Sequence, residues 1–233
     1  MVLVLHSHPL NKLFTHNTIE LPELRVTTYN KQRWYVTPED NYYPSITTVL
    51  GIQQKQYLID WQNSLGKEKA QKEIARTKQR GDAVHLMVEK YLKNDPDPTK
   101  DQNPEFIKRF NKLTLLLSRI NNIVAQEAAL YSDYLGVAGR VDCIANYSDV
   151  LSILDFKSST GEKDESMIED YFLQETFYAL AFYEMTGIKI EQIITLITTE
   201  KGPMPLIFKK SIMPYISPLK QRIDEFYDTV GNK

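Results

Sequence analysis

Two short runs of apolar and β-branched residues flank the polar pair Ser148 and Asp149 near the middle of the chain. The runs cover residues 137–146 and 150–158. Two such runs joined by a polar pair are typical of a β-hairpin with a two-residue turn. Because cross-strand partners are counted outward from the turn, this register predicts that Asp142 lies opposite Asp155.

The rest of the hydrophobic pattern alternates between periods of two residues and of three to four residues, which predicts mixed strands and helices. In order, the predicted elements are a hairpin over 24–30 and 32–37, a helical region from 45 to 80, helices over 81–92 and 105–122, a strand over 123–131, the central hairpin, a helix over 165–185, a strand over 192–199 and a closing helix over 217–230. The proline-rich and aspartate-rich stretch 93–104 is predicted to be a loop. This order predicts a single α/β domain with an N-terminal hairpin and helical additions.

Composition narrows the class of protein. The chain has 233 residues, 42% of them hydrophobic and 25% charged, which is typical of a globular domain and argues against a membrane-spanning or disordered chain. No secretory or transit signal is evident, so we expect an intracellular, cytoplasmic location. Cys143 is the single cysteine, which excludes an iron-sulfur cluster made by this chain alone. A Gly-x-x-x-x-Gly-Lys phosphate loop is missing, so no ATP is expected.

Charge is distributed unevenly along the chain. Residues 1–120 carry 18 basic and 13 acidic residues, a balance of +5, whereas residues 121–233 carry 10 and 17, a balance of −7. The segment 67–80 alone holds six basic residues, and with aromatic residues such as Tyr57, Trp61 and Trp34 it is a candidate channel for single-stranded DNA. Solvated helix faces are an equal alternative for the charges, and core packing is the alternative for Trp61.

The central hairpin carries the most informative chemistry. Facing carboxylates of Asp142 and Asp155 repel one another, and Lys157 lies on the same strand face as Asp155. A buried ion network is one way to offset this repulsion. The other is a divalent cation held by both carboxylates and a main-chain carbonyl, with Lys157 close to a bound water.

Four further residues occupy positions compatible with such a site. His85 lies at the edge of an apolar helix stripe and Glu127 lies inside an apolar strand, where an unpaired carboxylate is costly. Gln174 and Tyr178 are spaced to share one face of a helix. Each also has an ordinary structural interpretation: a packed core histidine, a solvent-facing glutamate, or side chains that only pack.

Taken in order, these motifs resemble the PD-(D/E)XK nuclease superfamily, and within it the RecB-like exonucleases, including mitochondrial genome maintenance exonucleases and their phage relatives. The motifs are Gly81-x-x-x-His85, Glu127, Gly136-x-x-Gly139-x-x-Asp142, Asp155-x-Lys157 and Gln174-x-x-x-Tyr178. The resemblance covers about residues 43–200. It implies a restriction-endonuclease-like core over 81–200, formed by a helix, a three-stranded antiparallel meander, a helix and a strand. Residues 1–80 would be an N-terminal hairpin and basic region, and 201–233 a C-terminal helical extension of this single nuclease domain.

The resemblance also implies residue roles. Mg²⁺, with Mn²⁺ as a substitute, would bind to His85, Asp142, Asp155 and the Phe156 carbonyl, with Glu127 as a further catalytic carboxylate. Lys157 would position or help deprotonate the attacking water, because burial and a nearby cation lower a lysine pKa. Gln174 and Tyr178 would orient Lys157 and the scissile phosphate. Residues expected to contact nucleic acid are Ser45, Thr47, Thr48, Arg76, Lys78, Arg80 and Lys163; ordinary helix capping is the alternative for the three hydroxyl residues.

The implied function is a metal-dependent DNA exonuclease that prefers single-stranded ends or tails. A phage-encoded role in replication, recombination, repair or DNA degradation is expected, with DNA and replication or recombination proteins as partners and no membrane association. Two alternatives remain: a structure-selective endonuclease of the same superfamily, and a non-catalytic DNA-binding recombination accessory protein. The intact Asp142, Asp155 and Lys157 argue against the second alternative.

Overall fold

A small antiparallel sheet forms the N-terminal part of the computed structural model, which describes residues 12–53 and 55–231. Its strands, in spatial order, are β1 (Arg25–Tyr29), β2 (Gln32–Val36) and β3 (Tyr42–Pro44). Asn30 and Lys31 join the first two strands with φ values of 48° and 63°. Two positive φ values in a two-residue loop are those of a type I′ turn, so the predicted N-terminal hairpin is confirmed.

Four helices follow the small sheet. They are α1 (Ile46–Leu50), α2 (Lys55–Leu65), α3 (Lys67–Leu92) and α4 (Pro104–Leu117). The predicted helix boundary at Gly81 is wrong, because α3 is one continuous helix of 26 residues. One interior glycine costs a helix only about 1 kcal/mol, which the buried residues Val84, Met87 and Val88 of the same helix offset by packing.

A five-stranded mixed sheet is the centre of the molecule. Its strands, in spatial order, are β4 (Ile120–Ser132), β5 (Val137–Tyr147), β6 (Val150–Ser159), β7 (Gln192–Thr199) and β8 (Leu206–Ser211). Strands β4 to β6 form an antiparallel meander, β7 runs parallel to β6, and β8 is antiparallel to β7. Helix α5 (Glu169–Thr186) connects the parallel pair, and α6 (Ile216–Gly231) closes the chain.

Two predicted boundaries are corrected here. The helix predicted over 105–122 ends at Leu117, and Ile120 already belongs to β4, because its apolar side chain serves the sheet. The region 201–233 is not purely helical, since β8 precedes α6 and pairs with β7. The α/β class and the order helix, three strands, helix, strand are confirmed.

Helices cover both faces of the large sheet. Cys143 and Leu154 belong to the core that α3 and α4 build on one face, while Ile144 and Ile153 belong to the core under α1, α5 and α6 on the other. This alternation along β5 and β6 is the period of two that strands packed on both faces must have. Among the described residues, we find no helix that combines the length and the apolar character needed to span a bilayer.

Candidate functional site

The register of the central hairpin is the predicted one, up to the level of the two aspartates. Tyr147 pairs with Val150 across a turn in which Ser148 and Asp149 have φ values of 48° and 68°. Backbone pairing runs outward and stops at Cys143 and Leu154, one position before Asp142 and Asp155.

At that position a side chain continues the contact between the strands. The Phe156 amide of β6 donates a hydrogen bond of 2.9 Å to Oδ2 of Asp142. Asp142 is therefore held against the opposite strand by its carboxylate rather than by a backbone pair.

Glu127 lies at the level of Asp142 on the neighbouring strand. The pairs Gln126 with Cys143 and Ala128 with Val141 enclose this position. Glu127 has a φ of 51°, and Arg140 donates a side-chain hydrogen bond to its carbonyl. A left-handed glutamate costs on the order of 1 kcal/mol, and such strained residues concentrate at functional sites.

Three side chains converge from α3, β4 and β5. His85, Glu127 and Asp142 each offer one ligand atom, and these atoms all lie within 4.8 Å of one another. His85 Nδ1 is 3.4 Å from Oδ2 of Asp142. Partial burial, with the nearby charge of Asp142, raises the pKa of Glu127 to about 7. One imidazole and two carboxylates are a suitable donor set for a divalent cation such as Mn²⁺ or Mg²⁺.

Asp155 is not a member of this cluster, and its role as a metal ligand stays a prediction. It is fully buried, and its Oδ2 contacts the ammonium of Lys157. Neither carboxylate oxygen accepts a well-formed hydrogen bond from a described residue, and burial raises the pKa of Asp155. A buried carboxylate with unused lone pairs is consistent with a ligand that a cation would recruit. Nothing in the geometry bears on the Phe156 carbonyl, which stays a prediction.

Lys157 is held as a cation. Burial lowers its pKa, but the carboxylates of Asp155 and Asp142 outweigh that effect, so the pKa of Lys157 is raised. Its Nζ lies 5.1 Å from the centroid of the Tyr171 ring. The pKa of Lys157 is thus raised rather than lowered, which favours charge compensation by its ammonium; positioning or deprotonation of the attacking water stays a prediction.

Glu175 is a buried carboxyl group that the motif spacing did not single out. Thr195 of β7 donates a hydrogen bond of 2.5 Å to its Oε1, and Thr195 pairs with Asp155 in the parallel register. Burial, together with the charge of Asp155, raises the pKa of Glu175 well above its ordinary value. The sequence signal that could have identified Glu175 is an acidic residue among the apolar positions of the predicted helix over 165–185.

Gln174 and Tyr178 share one face of α5, as predicted. Gln174 Nε2 donates a hydrogen bond of 3.1 Å to the Tyr178 hydroxyl. The Tyr178 ring lies against Gly139, where a Cβ would come within 2.8 Å of Cε1. The glycine before Arg140 and Asp142 is therefore explained by tyrosine packing. Orientation of Lys157 by this pair stays a prediction.

A cleft of about 400 Å³ opens over the His85, Glu127 and Asp142 cluster. Its other lining residues are Arg33, Tyr35, Ser45, Thr47, Asp82, Glu89, Arg140, Gln174 and Tyr178. Ser45 caps α1, with its Oγ 3.2 Å from the Thr47 amide and 2.6 Å from the Thr47 hydroxyl. Thr48 instead donates to the Arg33 carbonyl at 3.4 Å. The capping interpretation is thus confirmed for Ser45, and phosphate binding by Ser45, Thr47 and Thr48 stays a prediction.

A second groove, of about 990 Å³, lies along the N-terminal half of α3. Trp61, Lys69, Lys78, Lys163 and Tyr171 are among the residues that line it. Trp34 is not part of its lining, and the Tyr57 side chain lies outside the described residues.

Arg80 does not fit its predicted role in DNA contact. Its side chain is only 2% exposed and pairs with Glu200, while it donates to Ser158 and Thr160 at 3.2 Å each. Arg76 is 45% exposed and also pairs with Glu200, at 2.7 Å. Burial makes Arg80 a structural cation, because a phosphate cannot reach a guanidinium that is already enclosed.

No protein-family model and no curated protein matches the chain. Among solved structures, that of SSO0001 is similar over 64% of this chain and 73% of its own length, with 15% sequence identity and a TM-score of 0.37.

Proposed function

We propose that this protein is a divalent-metal-dependent nuclease that hydrolyses phosphodiester bonds of DNA and prefers single-stranded ends. The observation that carries the proposal is the convergence of His85, Glu127 and Asp142 in a cleft beside the buried Asp155 and Lys157 pair. The ordered motifs that resemble the PD-(D/E)XK nucleases add support.

The donor set fits a cation, and the buried oxygens of Asp155 add to that fit. A bound divalent cation would polarise a phosphoryl oxygen and lower the pKa of a bound water. His85, Glu127 and Asp142 would hold it, and the Phe156 amide fixes the orientation of the Asp142 carboxylate. Such preorganisation matters because a misplaced ligand weakens both metal affinity and catalysis.

Lys157 contributes a fixed positive charge on the sheet face covered by α5. Phosphoryl transfer builds negative charge on the equatorial oxygens, and a preorganised ammonium in a partly buried site stabilises that charge. Asp155 holds the ammonium in place. Gln174 and Tyr178 line the cleft over the His85, Glu127 and Asp142 cluster. Their amide and phenol groups are further hydrogen-bond partners for a phosphate.

The second groove supports the preference for a single strand. It combines the indole of Trp61 with the ammonium groups of Lys78 and Lys163. Aromatic faces stack on unpaired bases and basic groups attract the backbone, a combination that single-strand-binding proteins use.

Incubation of the protein with linear single-stranded DNA and Mg²⁺ or Mn²⁺ tests the proposal. We expect cleavage that EDTA stops. Asp142→Asn should reduce the rate at least a hundredfold, because it removes the negative charge of a metal ligand. Asp149→Asn is the matched control, since this exposed turn residue lies on the same hairpin and asparagine tolerates its left-handed backbone.

Intact DNA at every metal tested would refute the nuclease assignment. Calorimetric titration with Mn²⁺ then separates a metal-binding accessory protein from a wrong site, because Asp142→Asn should abolish binding in the first case only. Cleavage of a closed circular single strand would show an endonuclease, since an enzyme that needs an end leaves it intact.

A further inference from the structure

We propose that Arg33 and Arg140 form a two-sided binding site for the phosphodiester backbone at the mouth of the cleft, an inference that rests on the proposed function. The two arginines come from different sheets, and both line the cleft that contains the metal-ligand cluster. Their guanidinium groups are matched to phosphate because two parallel N–H donors engage two phosphate oxygens.

Arg140 lies two residues before Asp142 on β5. Its side chain is exposed, and Nη1 donates to the carbonyl of Glu127. A guanidinium carries five N–H donors, so this bond leaves the remaining donors available to a ligand beside the cluster. The contact also keeps the side chain at the cleft instead of free in solvent.

Arg33 reaches the same cleft from β2. Its carbonyl accepts hydrogen bonds from the Ser45 amide at 3.0 Å and from the Thr48 hydroxyl at 3.4 Å. Ser45 in turn forms a parallel bridge to Ala138, two residues before Arg140. The small sheet is therefore attached to β5 at the point where it brings the second arginine to the cleft.

The negative charge of the cleft explains why a phosphate needs Arg33 and Arg140 there. Four carboxylates line the cleft, those of Asp82, Glu89, Glu127 and Asp142. These carboxylates repel a polyanion. The charge of one bound cation would be neutralised largely by its own carboxylate ligands, so it would add little attraction for the polyanion. Among the described residues, neither Arg33 nor Arg140 lies within 4 Å of a carboxylate oxygen, so both retain charge for a phosphate.

Salt-dependent binding of a labelled oligothymidylate with phosphorothioate linkages tests the site. These linkages keep the charge of the backbone and resist hydrolysis, and Ca²⁺ replaces Mg²⁺ so that the metal site stays charged. We expect Arg33→Gln and Arg140→Gln each to weaken binding about tenfold at low salt. The slope of log K against log salt should fall by about 0.7 for each variant, the value for one lost phosphate contact on a single strand.

Arg25→Gln is the matched control, because Arg25 is an exposed arginine of the same small sheet that pairs with Asp40 at 2.6 Å. It should bind with the wild-type slope. Arg140→Lys separates the charge of Arg140 from its bidentate geometry. The charge remains, so the slope should stay near the wild-type value. The affinity should fall, because lysine cannot form the bidentate contact.

Unchanged slopes for Arg33→Gln and Arg140→Gln would overturn this inference even if the wild-type protein cleaves DNA. Reduced slopes in a protein that cleaves no DNA would instead support the arginine site and refute the nuclease assignment. A wild-type protein that neither binds nor cleaves the strand would refute both.

Discussion

Glu127, Asp155 and Glu175 are three carboxylates that folding places in different surroundings within one site. Glu127 is partly buried beside a histidine and an aspartate, and its pKa is raised to about 7. Asp155 is fully buried against an ammonium. Glu175 is fully buried with a threonine hydroxyl as its hydrogen-bond donor. The same chemical group thus serves as candidate metal ligand, as lysine partner and as a hydrogen-bonding residue with a raised pKa, because burial and neighbouring charge differ at the three positions.

The substitution Glu175→Gln tests whether folding raises the pKa of Glu175. A carboxyl group with a raised folded pKa contributes stability below its unfolded pKa, and that contribution is lost as pH rises through the folded pKa. Glutamine keeps the acceptor for Thr195 and cannot ionise. We therefore expect the variant to gain stability over the wild type as pH rises from 5 to 8, measured by urea unfolding at several pH values. Parallel stability curves for the two proteins would show that folding does not raise the pKa of Glu175.

At the scale of elements, α3 and β5 each contain a glycine, and the two glycines differ in their surroundings. A Cβ at Gly81 would meet only Ser158 Oγ, at 3.9 Å, whereas a Cβ at Gly139 would lie 2.8 Å from the Tyr178 ring and 3.0 Å from Ile46. Gly81 is therefore free to accept a methyl group within the protein, and Gly139 is not.

We expect Gly81→Ala to raise the free energy of unfolding by about 0.5–1 kcal/mol, because alanine is the better residue inside a helix. Gly139→Ala should lower it by about 1–3 kcal/mol, because the buried Tyr178 ring must shift. Thermal and denaturant unfolding of the two variants measures both changes. The substitution is glycine to alanine in each, so each variant is the control for the other. A destabilised Gly81→Ala would show that α3 approaches β6 more closely than the geometry indicates.

At the scale of the whole molecule, Glu200 joins α3 to the carboxyl end of β7. It accepts from the enclosed Arg80 and from the exposed Arg76, while Arg80 also donates to Ser158 at the end of β6 and to Thr160 just after that strand. These contacts fix the helix that carries His85 against the large sheet, at the ends of β6 and β7.

Loss of the enclosed cation should therefore cost far more than loss of the exposed one. We expect Arg80→Met to lower the free energy of unfolding by about 3 kcal/mol, because Glu200 loses its enclosed partner and two hydroxyl groups lose their hydrogen-bond donor. Arg76→Met, which breaks an exposed pair with the same glutamate, should cost less than about 1 kcal/mol. Guanidinium unfolding measures both. Similar losses for the two variants would contradict the structural assignment of Arg80.

The residue pattern alone predicts two hairpins, the α/β class, the limits of β7 and the register that brings Asp142 and Asp155 to one level. Each follows from local rules: a period of two, a polar turn pair, and pairing counted from that turn. It did not determine that Glu127 joins His85 and Asp142 while Asp155 turns to Lys157, that Arg80 is enclosed, or that Arg33 reaches the cleft. Those outcomes depend on how α3, α5 and the small sheet pack on the large sheet. Such contacts join residues far apart in the chain, and the burial that sets their charge does not exist until the layers meet.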